Sequence, residues 1–308
     1  MAIEKVKPTI DYAYQKSVSY SQYSMYNTCQ YSWYLAYVKK HKVFQPGIHL
    51  LYGTSLHETI QNYLQVMYDE SGVAADNINL SEYFKDRMIE NYKKDLEQYE
   101  GKHYCTKEEF TEFLSDGVAS LEWFKKNRSN YFSRKNTELV GIEIPILLPI
   151  TTDIPNVLMM GFIDFIIYNK VTDTYTIYDI KTSTRGWGDK EKKDQTKINQ
   201  ILLYKRFYSK TLGIPEDKVD VEFFIVKRKI FENSEFPMKR IQEFIPANKS
   251  KKVKDAFDGL EKFVKECFTS DAKYNTDRVY EKNISGCKWC VYKDKPELCD
   301  RKHNLFSE

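Results

Sequence analysis

Apolar positions recur at helical spacing through the first part of the chain, then crowd into short β-branched runs from Glu138 onward. Residues 19–38, SYSQYSMYNTCQYSWYLAYV, predict an aromatic-rich helix. GTSLHETIQNYLQVMYDE predicts a second, beginning near Gly53, with Leu56, Ile60, Tyr63, Leu64 and Met67 along one stripe. A third is predicted over 81–99. Thr106 followed three places on by Glu109 has the form of a capping box, so a fourth helix starts there and runs to about 132.

After Glu138, ELVGIEIPILLPI, VLMMGFIDFIIYN and TYTIYDIKTS read as strands, the last two separated by a polar turn. A helix over 193–212, strands near 219–228 and 240–246, and an amphipathic helix over 249–268 complete the pattern. Strands that are mostly adjacent in sequence, with one long helix inserted, predict an α/β or α+β fold. Its mixed central sheet is flanked by helices, and it is not a doubly wound parallel sheet. The expected organisation is a helical region over 1–137, a core over 138–248, and a C-terminal helix with a cysteine-rich segment over 249–308, packed back on the N-terminal helix.

The hairpin carries the most chemistry. Alternation puts Tyr175, Ile177, Asp179 and Lys181 on one face of its second strand, and Phe162, Asp164 and Ile166 on one face of its first. If KVTD is a four-residue loop closed by Asn169 opposite Thr174, the register sets Asp164 directly across from Asp179. Their β-carbons would then be about 4.5–5.5 Å apart, a repulsive arrangement unless a positive charge lies between. One aspartate in a strand is ordinarily a surface charge. Two in register beside a lysine favour a hard divalent cation, Mg²⁺ or Mn²⁺, able to activate water and stabilise a phosphate under attack. His57 in GTSLH, one turn into its predicted helix, is either a packed residue or a further ligand. Gln200 and Tyr204 in QILLY share a helix face, as part of a core stripe or of the site.

Composition changes this picture little. Of the 308 residues, 42% are hydrophobic and 30% charged, which is ordinary for a globular protein. No apolar stretch resembles a signal peptide or a membrane span, so the expectation is a soluble, cytoplasmic protein with no membrane partner. The net charge of +3 is too small to name a nucleic-acid partner by itself. Lysine runs at DKEKKD (189–194), VKRK (226–229) and NKSKKVK (248–254) read first as solvated faces. GxxxxGK[ST] is missing, so no ATPase is expected in this chain. Three cysteines stand in CKWCVYKDKPELC (287–299), a spacing open to disulfides, zinc or an iron–sulfur site.

In order, GTSLH, GFIDFI, DIKTS and QILLY resemble the G-x-x-x-H, G-x-x-D, D-x-K and Q-x-x-x-Y motifs of the PD-(D/E)XK nuclease superfamily, in the form of the RecB-type nuclease domain. The resemblance covers about 50–57 and 140–208. It implies a restriction-endonuclease-like core in which His57, Asp164, Asp179 and the Ile180 carbonyl hold Mg²⁺ or Mn²⁺. Lys181 would then assist the attacking water, with Gln200 and Tyr204 in support and Glu143 as an additional acid. Relatives with one cysteine near the N-terminus and three near the C-terminus hold a 4Fe–4S cluster, which assigns Cys29, Cys287, Cys290 and Cys299 here. The eight-residue interval VYKDKPEL is longer than the family spacing, and four thiolates also suit Zn²⁺. Either metal would clip the N-terminal helix to the C-terminal segment. Cys105 and Cys267 are left over, Cys267 as a core residue. The implied activity is a DNA exonuclease on single strands or free ends, with a separate helicase or integrase as candidate partner. The alternatives are a DNA-end-binding subunit that keeps the fold as scaffold, and a zinc-stapled RNA-processing nuclease.

Overall fold

The computed structural model describes residues 8–231 and 238–300. In chain order it contains β1 (Lys16–Val18), α1 (Tyr20–Thr28), α2 (Gln30–Trp33), α3 (Ile48–Asp69), α4 (Gly72–Asp76), α5 (Leu80–Gln98) and α6 (Lys107–Asn127). There follow β2 (Thr137–Pro149), β3 (Val157–Asn169), β4 (Thr174–Ser183), α7 (Asp189–Lys192), α8 (Gln195–Leu212), β5 (Val219–Lys227), β6 (Ile241–Phe244) and α9 (Ser250–Cys267). The strands form a six-stranded mixed sheet in the order β1-β3-β4-β5-β6, with β2 also paired to β3. Strands β3 and β4 are antiparallel, and β4 and β5 parallel. A parallel pair needs a crossover of a dozen residues or more, which α8 supplies. This is the mixed α/β arrangement that the sequence predicts.

Two compact units divide the chain. One holds Pro46–Pro145 and Phe162–Val253; the other holds Pro8–Gln45, Ile146–Gly161 and the chain from Lys254. In the first, the predicted stripe Leu56, Ile60, Tyr63, Leu64 and Met67 is wholly buried. It belongs to one core with Phe84 and Met88 of α5, Phe124 of α6, and Phe165, Ile180 and Phe224 from the sheet. Alternation therefore leaves Asp164, Asp179 and Lys181 to the opposite face of the sheet, where α8 lies against β4 and β5.

Three expectations are corrected here. Helix α3 begins at Ile48, not near Gly53, so His57 lies in its third turn. Gly53 is an interior glycine because a Cβ there would stand 3.2 Å from Thr182 Oγ1 at the end of β4. The helix expected over 19–38 is broken at Cys29, whose backbone is extended (φ −160°, ψ 112°), and resumes as α2 and a π-turn segment over Tyr34–Val38. The fourth helix ends at Asn127, and a 3₁₀ turn over Arg128–Asn130 follows. At its other end Thr106 and Glu109 form the predicted capping box, with bonds of 2.9 and 3.1 Å.

The second unit explains much of the tyrosine content. Trp33 is fully buried, and around its indole stand Tyr26, Phe263, Phe268, Tyr274 and Tyr280. Edge-on contacts dominate, as the ring quadrupoles prefer. The Tyr26 hydroxyl donates to Glu266 Oε2 at 2.7 Å, so this ring is both packed and bonded. Among the described residues, no helix is long and apolar enough to cross a membrane.

Candidate functional site

The hairpin forms in the expected register, from Asn169 opposite Thr174 to Phe165 opposite Tyr178. Asp164 and Asp179 come next, where the ladder stops. There Asp164 Oδ2 accepts the Ile180 N–H at 2.7 Å, so a side chain takes over a donor that the strand leaves unpaired. The same oxygen stands 3.6 Å from His57 Nδ1 of α3. Asp179 Oδ2 meets Lys181 Nζ at 2.8 Å. Lys181 also donates to Gln200 Oε1 at 3.1 Å, and the Gln200 amide donates to the Tyr204 hydroxyl at 3.3 Å. Gln200 and Tyr204 are one turn apart on α8, which lets one fix the other. Thus His57, Asp164, Asp179, Lys181, Gln200 and Tyr204 are brought into one neighbourhood.

Its electrostatics follow from burial. Asp179 is 2% exposed, and desolvation pushes its carboxyl up to about 6. Lys181 and His57 oppose that shift, while the like charge of Asp164 adds to it. For Lys181, burial disfavours the ammonium, but Asp179 and Asp164 more than offset it, so the cation is held. Burial raises the Tyr204 phenol well above its usual range, against the bond from Gln200, so it stays neutral.

Sequence reasoning missed Gln61. This glutamine is 1% exposed on α3, and its amide donates to the Asp164 carbonyl at 3.1 Å and to Glu143 Oε1 at 3.0 Å. Glu143 has a left-handed backbone (φ 50°) within β2, a conformation uncommon for a residue other than glycine. It is 7% exposed. The signal for Gln61 was available: it stands four residues after His57, on the same helix face.

In the second unit the broken helix turns Cys29 toward the C-terminal segment. The Asn283 N–H approaches Cys29 Sγ at 3.4 Å, and Cys287 Sγ lies 3.9 Å from the Asn283 carbonyl. Burial raises the Cys299 thiol, Lys282 opposes this, and the charges of Cys290, Cys29 and Cys287 raise it further. Cys299 therefore lies within electrostatic reach of the other three. The long interval 291–298 is folded into successive turns, with Tyr292 buried and donating to the His41 carbonyl at 2.8 Å. Cys105 belongs to the other unit, and Cys267 is a buried core residue whose thiol is pushed up to about 12 by desolvation.

Two carboxylates and an imidazole fit a hard divalent cation by donor chemistry, and four thiols fit a soft one. Among the described residues, neither set stands in metal-holding geometry, since each aspartate is turned to a local partner.

The mixed sheet thus presents two acids and a lysine from one hairpin, backed by a glutamine and a tyrosine one turn apart on α8. A family model of the PD-(D/E)XK nuclease superfamily matches residues 17–295, and the chain belongs to that superfamily. No curated protein matches it at a significant level.

Proposed function

We propose that the chain is a Mg²⁺- or Mn²⁺-dependent DNA exonuclease acting on single strands or free ends. The observation that supports this most is the hairpin register that sets Asp164 beside Asp179, with Lys181 against the latter. His57, Asp164, Asp179 and the Ile180 carbonyl would hold the metal, which when bound lowers the pKa of water and neutralises charge at phosphorus. Lys181 supplies a fixed cation to orient the attacking water and to stabilise negative charge as it develops. Gln200 aims Lys181, and Tyr204 aims Gln200. Gln61 ties the backbone of Asp164 to Glu143, which keeps the first acid from swinging away. The preference for ends over internal bonds rests on the motif order shared with RecB-type nuclease domains. Cys29, Cys287, Cys290 and Cys299 hold a structural 4Fe–4S cluster in this reading, with Zn²⁺ as the alternative.

The test is an anaerobic preparation given end-labelled single-stranded DNA and Mn²⁺, beside Asp179→Ala, with the visible spectrum recorded first. Degradation that is lost in Asp179→Ala supports the nuclease, and a broad absorption near ~400 nm supports thiolate-bound iron. DNA binding without cleavage would favour an end-binding scaffold instead.

A further inference from the structure

The lysine runs separate into two kinds once they are folded. In VKRK, Arg228 and Lys229 are neutralised by Glu112 and Asp116 of α6. Lys227 is not. Among the described residues, no carboxylate pairs with Lys227, with Lys192 of α7, or with Lys239 just before β6.

The sheet decides where Lys227 points. Lys181 pairs with Ile225 and Ser183 with Lys227 across the parallel β4–β5 ladder. Paired residues of a parallel ladder share a face and recur every second position, so Lys227 leaves the sheet on the side of Lys181. One strand and two residues separate them, roughly 8 Å at ~4.8 Å per strand and ~3.3 Å per residue. That is the reach of one nucleotide along a strand. The loop after β4 holds this lysine in place. Gly186 (φ 98°) leaves room that a Cβ would fill, 3.0 Å from Lys227 Cε and 2.7 Å from Gln242 Oε1. Gln242 pins the loop by accepting the Trp187 N–H at 2.7 Å and donating to the Trp187 carbonyl at 3.0 Å. Lys239 adjoins Arg240, whose carbonyl accepts the Lys227 N–H at 2.8 Å, and Lys192 Nζ lies 5.9 Å from the ring centroid of Phe244, which pairs with Phe223 of β5. Burial first, and then these two charges, disfavour the Lys227 ammonium. Three cations held together, none with a carboxylate partner among the described residues, are a liability to the free protein and an asset to a polyanion. Beside them Arg185 lies over the ring of Phe231, 4.7 Å from its centroid, and Phe231 is 56% exposed. An exposed ring next to cations is a surface on which a base can stack.

We propose that Lys227, Lys192 and Lys239 form a phosphate-binding patch that holds the DNA strand one nucleotide from the bond being cut. The proposal rests on the nuclease reading. It assigns to these lysines the contacts with a neighbouring phosphate, and to Phe231 the adjoining base.

The test is fluorescence anisotropy of a labelled single-stranded oligonucleotide titrated in EDTA over a salt series. The proteins are the wild type, the triple variant Lys192→Gln/Lys227→Gln/Lys239→Gln, and the same positions changed to Arg. A charge-matched control carries Lys251→Gln/Lys252→Gln/Lys254→Gln. Each lost phosphate contact removes about 0.7 from the slope of log K against log salt, so the Gln triple should lose about 2 and bind about 100-fold more weakly at ~0.1 M salt. The Arg triple should keep the wild-type slope. If the Gln triple unfolds, Lys239→Gln alone, at an exposed position, should lose about 0.7. An unchanged slope in a wild type that binds and cleaves would overturn the patch and leave the nuclease standing. An equal loss in the control would overturn it too, because net charge would then suffice. A wild type that neither binds nor cleaves would overturn both.

Discussion

Lys181→Met removes a cation while keeping most of the side chain's volume, and its cost can be worked from the burial of Asp179. With Lys181 present, burial already holds the Asp179 carboxyl at about 6, against 3.8 for an ordinary aspartate. At ~1.36 kcal/mol per pH unit, keeping that carboxylate ionised costs the fold about 3 kcal/mol once the pH exceeds about 6. The direction follows from proton linkage. A raised folded pKa stabilises the fold below the unfolded value, and this is lost as pH rises through the folded value. Without Lys181 the folded value climbs further, so the loss continues to higher pH. Breaking a buried pair from one side costs about 3–5 kcal/mol. At ~2–4 °C per kcal/mol for a chain of this size, the Tm should fall by about 10 °C at pH 8. Thermal unfolding in EDTA from pH 5 to 8 should show that deficit shrinking toward acid pH. Lys181→Met/Asp179→Asn should recover most of it. A deficit independent of pH, or a double variant as unstable as the single, would refute the reasoning. The same substitution should lower cleavage by about 10²–10³, as loss of one electrostatic stabiliser does, while DNA binding persists.

Other substitutions probe the remaining parts. Gln61→Leu removes the bonds to Asp164 and Glu143, at about 1–3 kcal/mol, and should raise the Mn²⁺ concentration needed for half-maximal cleavage. An unchanged metal requirement would make Gln61 a purely structural bridge. Tyr204→Phe should reduce activity by less than about tenfold, in line with one lost hydrogen bond, and leave the alkaline limb of the pH profile in place because this phenol stays neutral. A shifted limb would show that Tyr204 itself titrates during turnover. Cys29→Ser should lose bound iron or zinc while Cys105→Ser keeps it, measured as metal per chain; equal content in both would remove Cys29 from the ligand set. Gly117→Ala would place a Cβ 2.1 Å from Phe84 Cε1, so the denaturation midpoint should fall by the equivalent of about 1–3 kcal/mol.

The hairpin that carries the candidate site was legible because a hairpin is local. Loop length and alternation together set the register, so the pairs from Asn169–Thr174 to Phe165–Tyr178 formed as counted, and the ladder stops just short of Asp164 and Asp179. The buried stripe of α3 and the capping box of α6 were equally readable, since both depend on neighbours three or four residues away. Gln61 was not found, although it shares a face with His57, because its role depends on Glu143 of β2 and Asp164 of β3. The start of α3 was misplaced for a similar reason. Gly53 resembles a helix boundary in sequence, but it is small because Thr182 of β4 lies against it.

By itself the sequence determined the helix faces, the strands, the hairpin register and the residue types able to bind a metal, all consequences of short-range periodicity. Tertiary structure alone decided which charges remain unneutralised. Lys227 and Arg228 are neighbours in the chain, yet alternation in β5 sends them to opposite faces. One pairs with the acids of α6, and the other has no carboxylate partner among the described residues. Charge neutralisation is a matter of distance in space, and no spacing along the chain encodes it.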